Sequence, residues 1–212
     1  MIDKSTALIV VDMQNDFIPG GALAVKEGDQ ILDGINDLIK ISFNNNATIV
    51  LSQDWHPTNH RSFASAHKGK KPGDIYNEVG IGPVLWPDHC VQGTDGANFI
   101  KGLFTDKASM IIRKGMNPNI DSYSVFLEND KKTETGLHGY LKSREIKIII
   151  IVGLATDYCC YFTALDAKNF GYDVIFIEDL TRGVDLPENN IKKSLEVMKN
   201  SGIGIVNSKD KI

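Results

Sequence analysis

Six short runs rich in isoleucine and valine recur along the chain without polar alternation: ALIVV at 7–11, ATIVLS at 47–52, MIIR at 110–113, IIIIV at 148–152, YDVIFI at 172–177 and IGIV at 203–206. A strand with one wet face alternates apolar and polar residues, so runs that do not alternate belong to strands covered on both faces. That condition is met inside a parallel sheet sandwiched by helices. Helical patterns lie between the runs. GDQILDGINDLIKISFNN at 28–45 places Ile31, Ile35, Leu38 and Ile39 on one helical face. ENNIKKSLEVMKNSG at 188–202 follows Asp185 and Pro187, a helix-start signal, and stops at Gly202. The alternation predicts an α/β fold: one doubly wound, Rossmann-like, mostly parallel sheet of about six strands with helices on both faces. With no repeat, low-complexity stretch or linker, residues 1–212 read as one domain. A domain of that length buries roughly 70 % of its unfolded surface, enough for a core without staples.

Composition excludes several classes. With 42 % hydrophobic and 24 % charged residues the chain is an ordinary globular sequence, and a net charge of -4 gives no electrostatic reason to bind nucleic acid or an anionic membrane. The one basic run, HKGKKPGD at 67–74, lacks interleaved aromatics and reads as a solvated loop. Three cysteines are too few, and odd in number, for a disulfide framework, and two of them are neighbours. A reducing compartment follows. The N-terminal apolar run is too short for a secretory signal, and IKIIIIVGLA falls far below the ~20 apolar residues of a membrane span. The cytoplasm is the expected location, with a small molecule as partner and a homo-oligomer left open.

The alternation fails over about 54–108, where prolines and glycines are frequent and four of the five histidines and both tryptophans gather. Loops of that length inside a compact domain are usually functional. In an open α/β sheet the ligand sits at the carboxyl ends of the strands, where such loops emerge. Three predicted strand ends carry a reactive group: Asp12, Lys114 and, just past IIIIVG, Cys159. Each alone has an ordinary explanation, as turn residue, solvated cation or small hydrophobe. Together, on one sheet edge, they form a thiol with a base and a cation beside it. Cys159 would sit in the first helical turn if Thr156 or Asp157 is the N-cap. Cys160, rotated about 100° around the axis, shares a stripe with Ala164, Ala167 and Gly171, which favours Cys159 as nucleophile and Cys160 as core.

In SQDWHP, Asp54 and His56 lie one residue apart, so an extended chain puts both on one side. A carboxylate and an imidazole so placed suit a divalent metal (zinc, iron or manganese), with further ligands from His60, His67 or His89. No strand-linked GxGxxG, phosphate-binding GxxxxGK[ST], GxSxG elbow or HExxH is present. Common nucleotide and serine-hydrolase readings are thereby unsupported.

VVDMQNDF (10–17), GGALAV (20–25), SQDWHP (52–57), H-x-SFA (60–64), WPDHCVQGT (86–94), RKGMNPNIDSYSVF (113–126) and GLATDYCCYFTALDA (153–167), taken in order, resemble the nicotinamidase family of isochorismatase-like cysteine hydrolases. The resemblance implies a Cys159–Asp12–Lys114 triad and one divalent metal ion on Asp54, His56 and His89, with His60 behind them, His67 unassigned and no organic cofactor. It also implies hydrolysis of the carboxamide of nicotinamide through a Cys159 thioester in NAD salvage, with the pyridine nitrogen on the metal and pyrazinamide as a side substrate. Phe17 and Trp86 would sandwich the ring, and the N–H groups of Ala155 and Cys159 would receive the oxyanion. In relatives the peptide before this turn is often cis. Two rival readings stand beside this one. A sister amidohydrolase acting on carbamoyl or ureido groups would share the triad but not the metal set. A binding protein whose metal only pins the long loop would not need Cys159.

Overall fold

The computed structural model describes residues 2–210. Six strands form one all-parallel sheet: β1 (Thr6–Val11), β2 (Thr48–Asp54), β3 (Met110–Lys114), β4 (Ile148–Leu154), β5 (Asp173–Arg182) and β6 (Gly204–Val206). Their order across the sheet is β3-β2-β1-β4-β5-β6, which reverses direction between β1 and β4. This is the doubly wound order, whose crevice lies at the carboxyl ends of the two central strands. The apolar runs occupy the strands as expected, and every residue of β1 and β2 is buried.

Period-two alternation then sorts the strand side chains between two cores. Leu8 and Val10 of β1 and Ile150 and Val152 of β4 meet α1 (Leu32–Asn44) through Ile35, Leu38 and Ile39. Ala7, Ile9, Ile149 and Ile151 face the other way. There they meet α2 (Leu137–Ser143), α3 (Tyr161–Asn169) and α4 (Asn190–Asn200) through Leu137, Leu141, Ala164, Ala167 and Met198. Each such isoleucine or leucine contributes about 1.5–3 kcal/mol by leaving water.

Element edges differ from the pattern where tertiary packing decides. The helix predicted from residue 28 starts at Leu32; residues 28–31 are turn, with the Gly28 N–H donating to the Val25 carbonyl at 3.1 Å. Asp185 does serve the start of α4, accepting a hydrogen bond from the Ile191 N–H at 3.1 Å. Strand β5 runs to Arg182, five residues beyond its apolar run, with a register irregularity against β4. Gly153, at the carboxyl end of β4, has φ 114°, and a Cβ there would lie 2.1 Å from the Val11 carbonyl oxygen. Only glycine lets β4 pass so close to the end of β1. Between β2 and β3 the long irregular segment contains only three short 3-10 turns and is tied down by bridges at His56–Val91 and Phe63–Trp86. Among the described residues, no helix is long and apolar enough to cross a membrane.

Candidate active site

Four strand ends converge on one buried ammonium. Lys114, the last residue of β3, is 2 % exposed. Its Nζ lies 2.9 Å from Asp12 Oδ2, 2.6 Å from Asp54 Oδ1 and 3.4 Å from Cys159 Sγ, and donates to the Ser122 carbonyl at 2.9 Å. Asp12 follows β1 in a left-handed conformation (φ 46°) and is fully buried. Its Oδ1 accepts from the Ser52 hydroxyl at 2.6 Å, while Oδ2 has no well-aligned hydrogen-bond donor. An oxygen of its carboxyl and Cys159 Sγ lie within 4.8 Å of each other.

The electrostatics follow from burial and these neighbours. Burial pushes the Cys159 thiol well above its ordinary value; Lys114 pulls it down, and Asp12 and Asp54 push it further up. Burial also raises Asp12 above the usual carboxylate value, against the opposing pull of Lys114. For Lys114, burial disfavours the charge, but Asp12 and Asp54 outweigh it and hold the ammonium well above the usual lysine value. The site thus holds a protonated thiol, a carboxylate with increased appetite for a proton, and a permanent cation touching both.

Cys159 does not lie in a capped first turn of an α-helix, as the sequence suggested. Thr156–Cys160 forms a wide π-type turn, in which Cys160 N–H donates to the Ala155 carbonyl at 3.1 Å. Neither expected cap acts as one, because both side chains are drawn elsewhere. The Thr156 hydroxyl donates to that of Thr181, and Asp157 accepts from the N–H groups of Val184 and Asp185. Asp157 therefore faces away from the thiol. The peptide bond preceding Ala155 is cis. Cys160 is fully buried in the core with Ala164 and Ala167, whereas Gly171 is exposed.

Beside this cluster, donor atoms of Asp54, His56 and His89 lie within 4.8 Å of one another. His56 Nε2 and His89 Nε2 approach Asp54 Oδ2 at 3.5 and 3.7 Å. Their Nδ1 atoms face backbone carbonyls, Gly115 at 2.9 Å and Pro87 at 2.8 Å. Those contacts put a proton on each Nδ1 and turn both Nε2 atoms toward Asp54, the orientation that metal-ligating histidines take; burial disfavours a charge on His56, but Asp54 outweighs it and raises the imidazole above its ordinary value. Gly115 is obligatory here, since a Cβ would stand 2.4 Å from His56 Cε1. His60 adds a buried Nε2 with no partner, and burial, helped by His56, lowers its pKa to about 4, which keeps the ring neutral. One carboxylate and neutral imidazoles suit zinc, iron or manganese. His67 is not part of the set; its Nε2 bonds the Arg61 carbonyl at 2.7 Å.

A narrow cleft opens onto both groups, lined by Cys159, Ala155, Asp54 and His89 and walled by Phe17, Trp86, Tyr123 and Tyr158. Phe17 and Trp86 thus both line the cleft. Tyr123, Tyr158 and Asp121, which also lines it, were not singled out in the sequence. Their signal was position: Asp121 and Tyr123 follow the Lys114 strand end, and Tyr158 adjoins Cys159.

The Isochorismatase domain family matches residues 6–210, and the chain belongs to that family. Within it the likeness is to nicotinamidases. A nicotinamidase of Acinetobacter baylyi is 48 % identical over 208 residues, covering 98 % of this chain and 94 % of that protein. The solved structure of a nicotinamidase/pyrazinamidase from Acinetobacter baumanii superposes with a TM-score of 0.94 at 44 % identity, over 99 % of both chains. A pyrazinamidase of Pyrococcus horikoshii, solved in complex with zinc, gives 0.78 at 39 % identity, over 96 % of this chain and 99 % of that one.

Proposed function

We propose that the chain hydrolyses nicotinamide to nicotinate and ammonia through a thioester on Cys159, as a step of NAD salvage. It is an amidohydrolase of the nicotinamidase group. The observation that carries the residue roles is the single buried ammonium of Lys114 in contact with Asp12, Asp54 and Cys159 at once.

Asp54, His56 and His89 would hold a divalent cation. When bound, it supplies a Lewis-acid anchor for the pyridine nitrogen and polarises the ring. Phe17 and Trp86 hold the ring faces and keep water from them. Asp12 Oδ2 takes the thiol proton as the sulfur bonds the carboxamide carbon, and the carbonyl electron pair moves onto oxygen. Lys114 offsets the charge of the sulfur as the proton leaves. The N–H groups of Ala155 and Cys159 would receive the oxyanion, as the resemblance to nicotinamidases implies, while those of Tyr158 and Cys160 donate to the Ala155 carbonyl. One donor of that kind is typically worth ~3 kcal/mol. On collapse the carbon–nitrogen bond breaks, Asp12 passes its proton to the nitrogen, and ammonia departs. Asp12 then removes a proton from water, whose oxygen bonds the thioester carbon. The carbon–sulfur bond breaks, and Asp12 returns the proton to the sulfur. The raised proton affinity of Asp12 supports this double duty, since it brings the base nearer to the thiol it must deprotonate.

The test is ammonia release from nicotinamide by wild type, Cys159→Ala and Cys160→Ala, with metal content recorded for each. Loss in the first variant and retention in the second is expected. Equal activity in all three would refute the cysteine mechanism. Metal-loaded wild type that releases no ammonia would move the assignment to another amide.

A further inference from the structure

Tyr123 lines both the catalytic cleft and a second, solvent-open cavity bounded by Gly82, Lys131 and Phe162. Trp86 and Tyr158, which line the cleft, and Phe162, which lines the second cavity, all pack against its side chain. Tyr123 is 6 % exposed and its ring is fixed from several sides. Trp86 Nε1–H donates to the Tyr123 hydroxyl at 3.0 Å, and the hydroxyl donates to the Gly82 carbonyl at 2.9 Å. The Tyr123 backbone N–H donates to Asn129 Oδ1 at 3.1 Å, and Phe162 stacks on the ring at 5.3 Å and 22°. The acceptor is itself rigid. Gly82 has φ +119°, and a Cβ there would meet the Tyr76 carbonyl oxygen at 2.0 Å. Burial holds the phenol well above its ordinary pKa, so the hydroxyl stays a donor.

A ring locked in that way does not yield to a ligand, and the Phe162 stacked on it lines the second cavity. We propose that Tyr123 is the specificity-determining wall of the cleft, restricting substrate to a single small aromatic carboxamide, and that its removal joins the second cavity to the site. The cavity beyond is lined by Ile81 and Phe162 together with Glu78, Asn129 and Lys131. It suits an aryl substituent on the pyridine ring. The inference rests on the nicotinamidase reading.

The experiment compares kcat/KM for nicotinamide with that for nicotinamides carrying a phenyl group at ring carbon 4 or 5. Wild type, Tyr123→Ala, Tyr123→Leu and Tyr123→Phe are assayed, with the Tm of each recorded. Tyr123→Leu serves if the alanine variant does not fold. Either shortening should raise the substituted-to-unsubstituted ratio about tenfold or more for at least one of the two amides, the scale on which small pocket changes discriminate. Tyr123→Phe keeps the wall and should leave the ratio near that of wild type. An unchanged ratio in both shortened variants, with nicotinamide still hydrolysed, would overturn the proposal. So would an equal gain in Tyr123→Phe, or wild type that already accepts the phenyl amides. Wild type that releases no ammonia from nicotinamide would instead sink the underlying reading, and the wall with it.

Discussion

Replacing Lys114 by methionine removes one buried charge and leaves two others behind. In the wild type, Nζ stands 2.9 and 2.6 Å from Asp12 and Asp54, and all three side chains are nearly inaccessible to water. Removing one partner of such a cluster costs about 3–5 kcal/mol, because an uncompensated buried charge remains. For a chain of this length each kcal/mol moves the melting temperature by roughly 2–4 °C, so a fall of roughly 6–20 °C is expected. The loss should depend on pH with a definite sign. Without the lysine, the two facing carboxylates share a proton more readily than they do in the unfolded chain, so the folded state binds more protons. Stability of the variant then falls as pH rises, and the deficit is larger at pH 8 than at pH 5.5. A double variant, Lys114→Met with Asp12→Asn, removes one stranded carboxylate and should melt above the single variant, a non-additivity expected of groups in contact. Thermal unfolding at the two pH values, on samples of recorded metal content, tests each part. A Tm within about 2 °C of wild type, or additive effects in the double variant, would show that the ammonium does not hold this cluster together.

Two further outcomes follow from the same geometry. Since Asp12 must be ionised to accept the thiol proton, and burial raises it above the ordinary carboxylate value of 3.8, the acid limb of kcat/KM should titrate above that value; a limb at or below it would dissociate Asp12 from the base. Pyrazinamide presents the same ring nitrogen and carboxamide, so it should release ammonia in the same assay. Robust nicotinamide activity without any from pyrazinamide would mean that the cleft reads more of the ring than the proposed contacts do.

What was legible in the sequence was whatever depends on period and position. Isoleucine runs without alternation specified buried parallel strands, and the carboxyl-end rule then brought Asp12, Lys114 and Cys159 to one edge before any distance was known. The spacing of Asp54 and His56 gave two of the three clustered donors. His89 came only through resemblance, because nothing local distinguishes it from His67, which the fold carries to the Arg61 carbonyl. The turn at Thr156–Cys160 was misread for a related reason. Thr156 and Asp157 are good N-caps in isolation, but Thr181 and the backbone of Val184 and Asp185 claim their side chains. Those partners lie 25 to 28 residues away, so no local pattern reports them. Nothing local in the sequence distinguishes Tyr123, whose contacts with Trp86, Gly82 and Phe162 exist only in the assembled fold.

Asp54 was assigned by its sequence neighbourhood to the metal set alone, yet its two oxygens face different tasks. Oδ2 looks toward the Nε2 atoms of His56 and His89, while Oδ1 contacts Lys114 at 2.6 Å, closer than Asp12 does. The carboxylate that would anchor a cation therefore also competes with Asp12 and the sulfur for the one buried ammonium. Burial opposes the charge on Asp54, but Lys114 and His56 outweigh it and hold the carboxyl well below the usual carboxylate range, so Asp54 stays charged as long as the lysine is beside it. A cation drawing charge density from Asp54 would loosen its hold on Lys114 and leave the ammonium freer for the thiolate. Under the proposed mechanism, substrate anchoring and nucleophile activation would be coupled through Asp54, even though the groups assigned to them come from different strands.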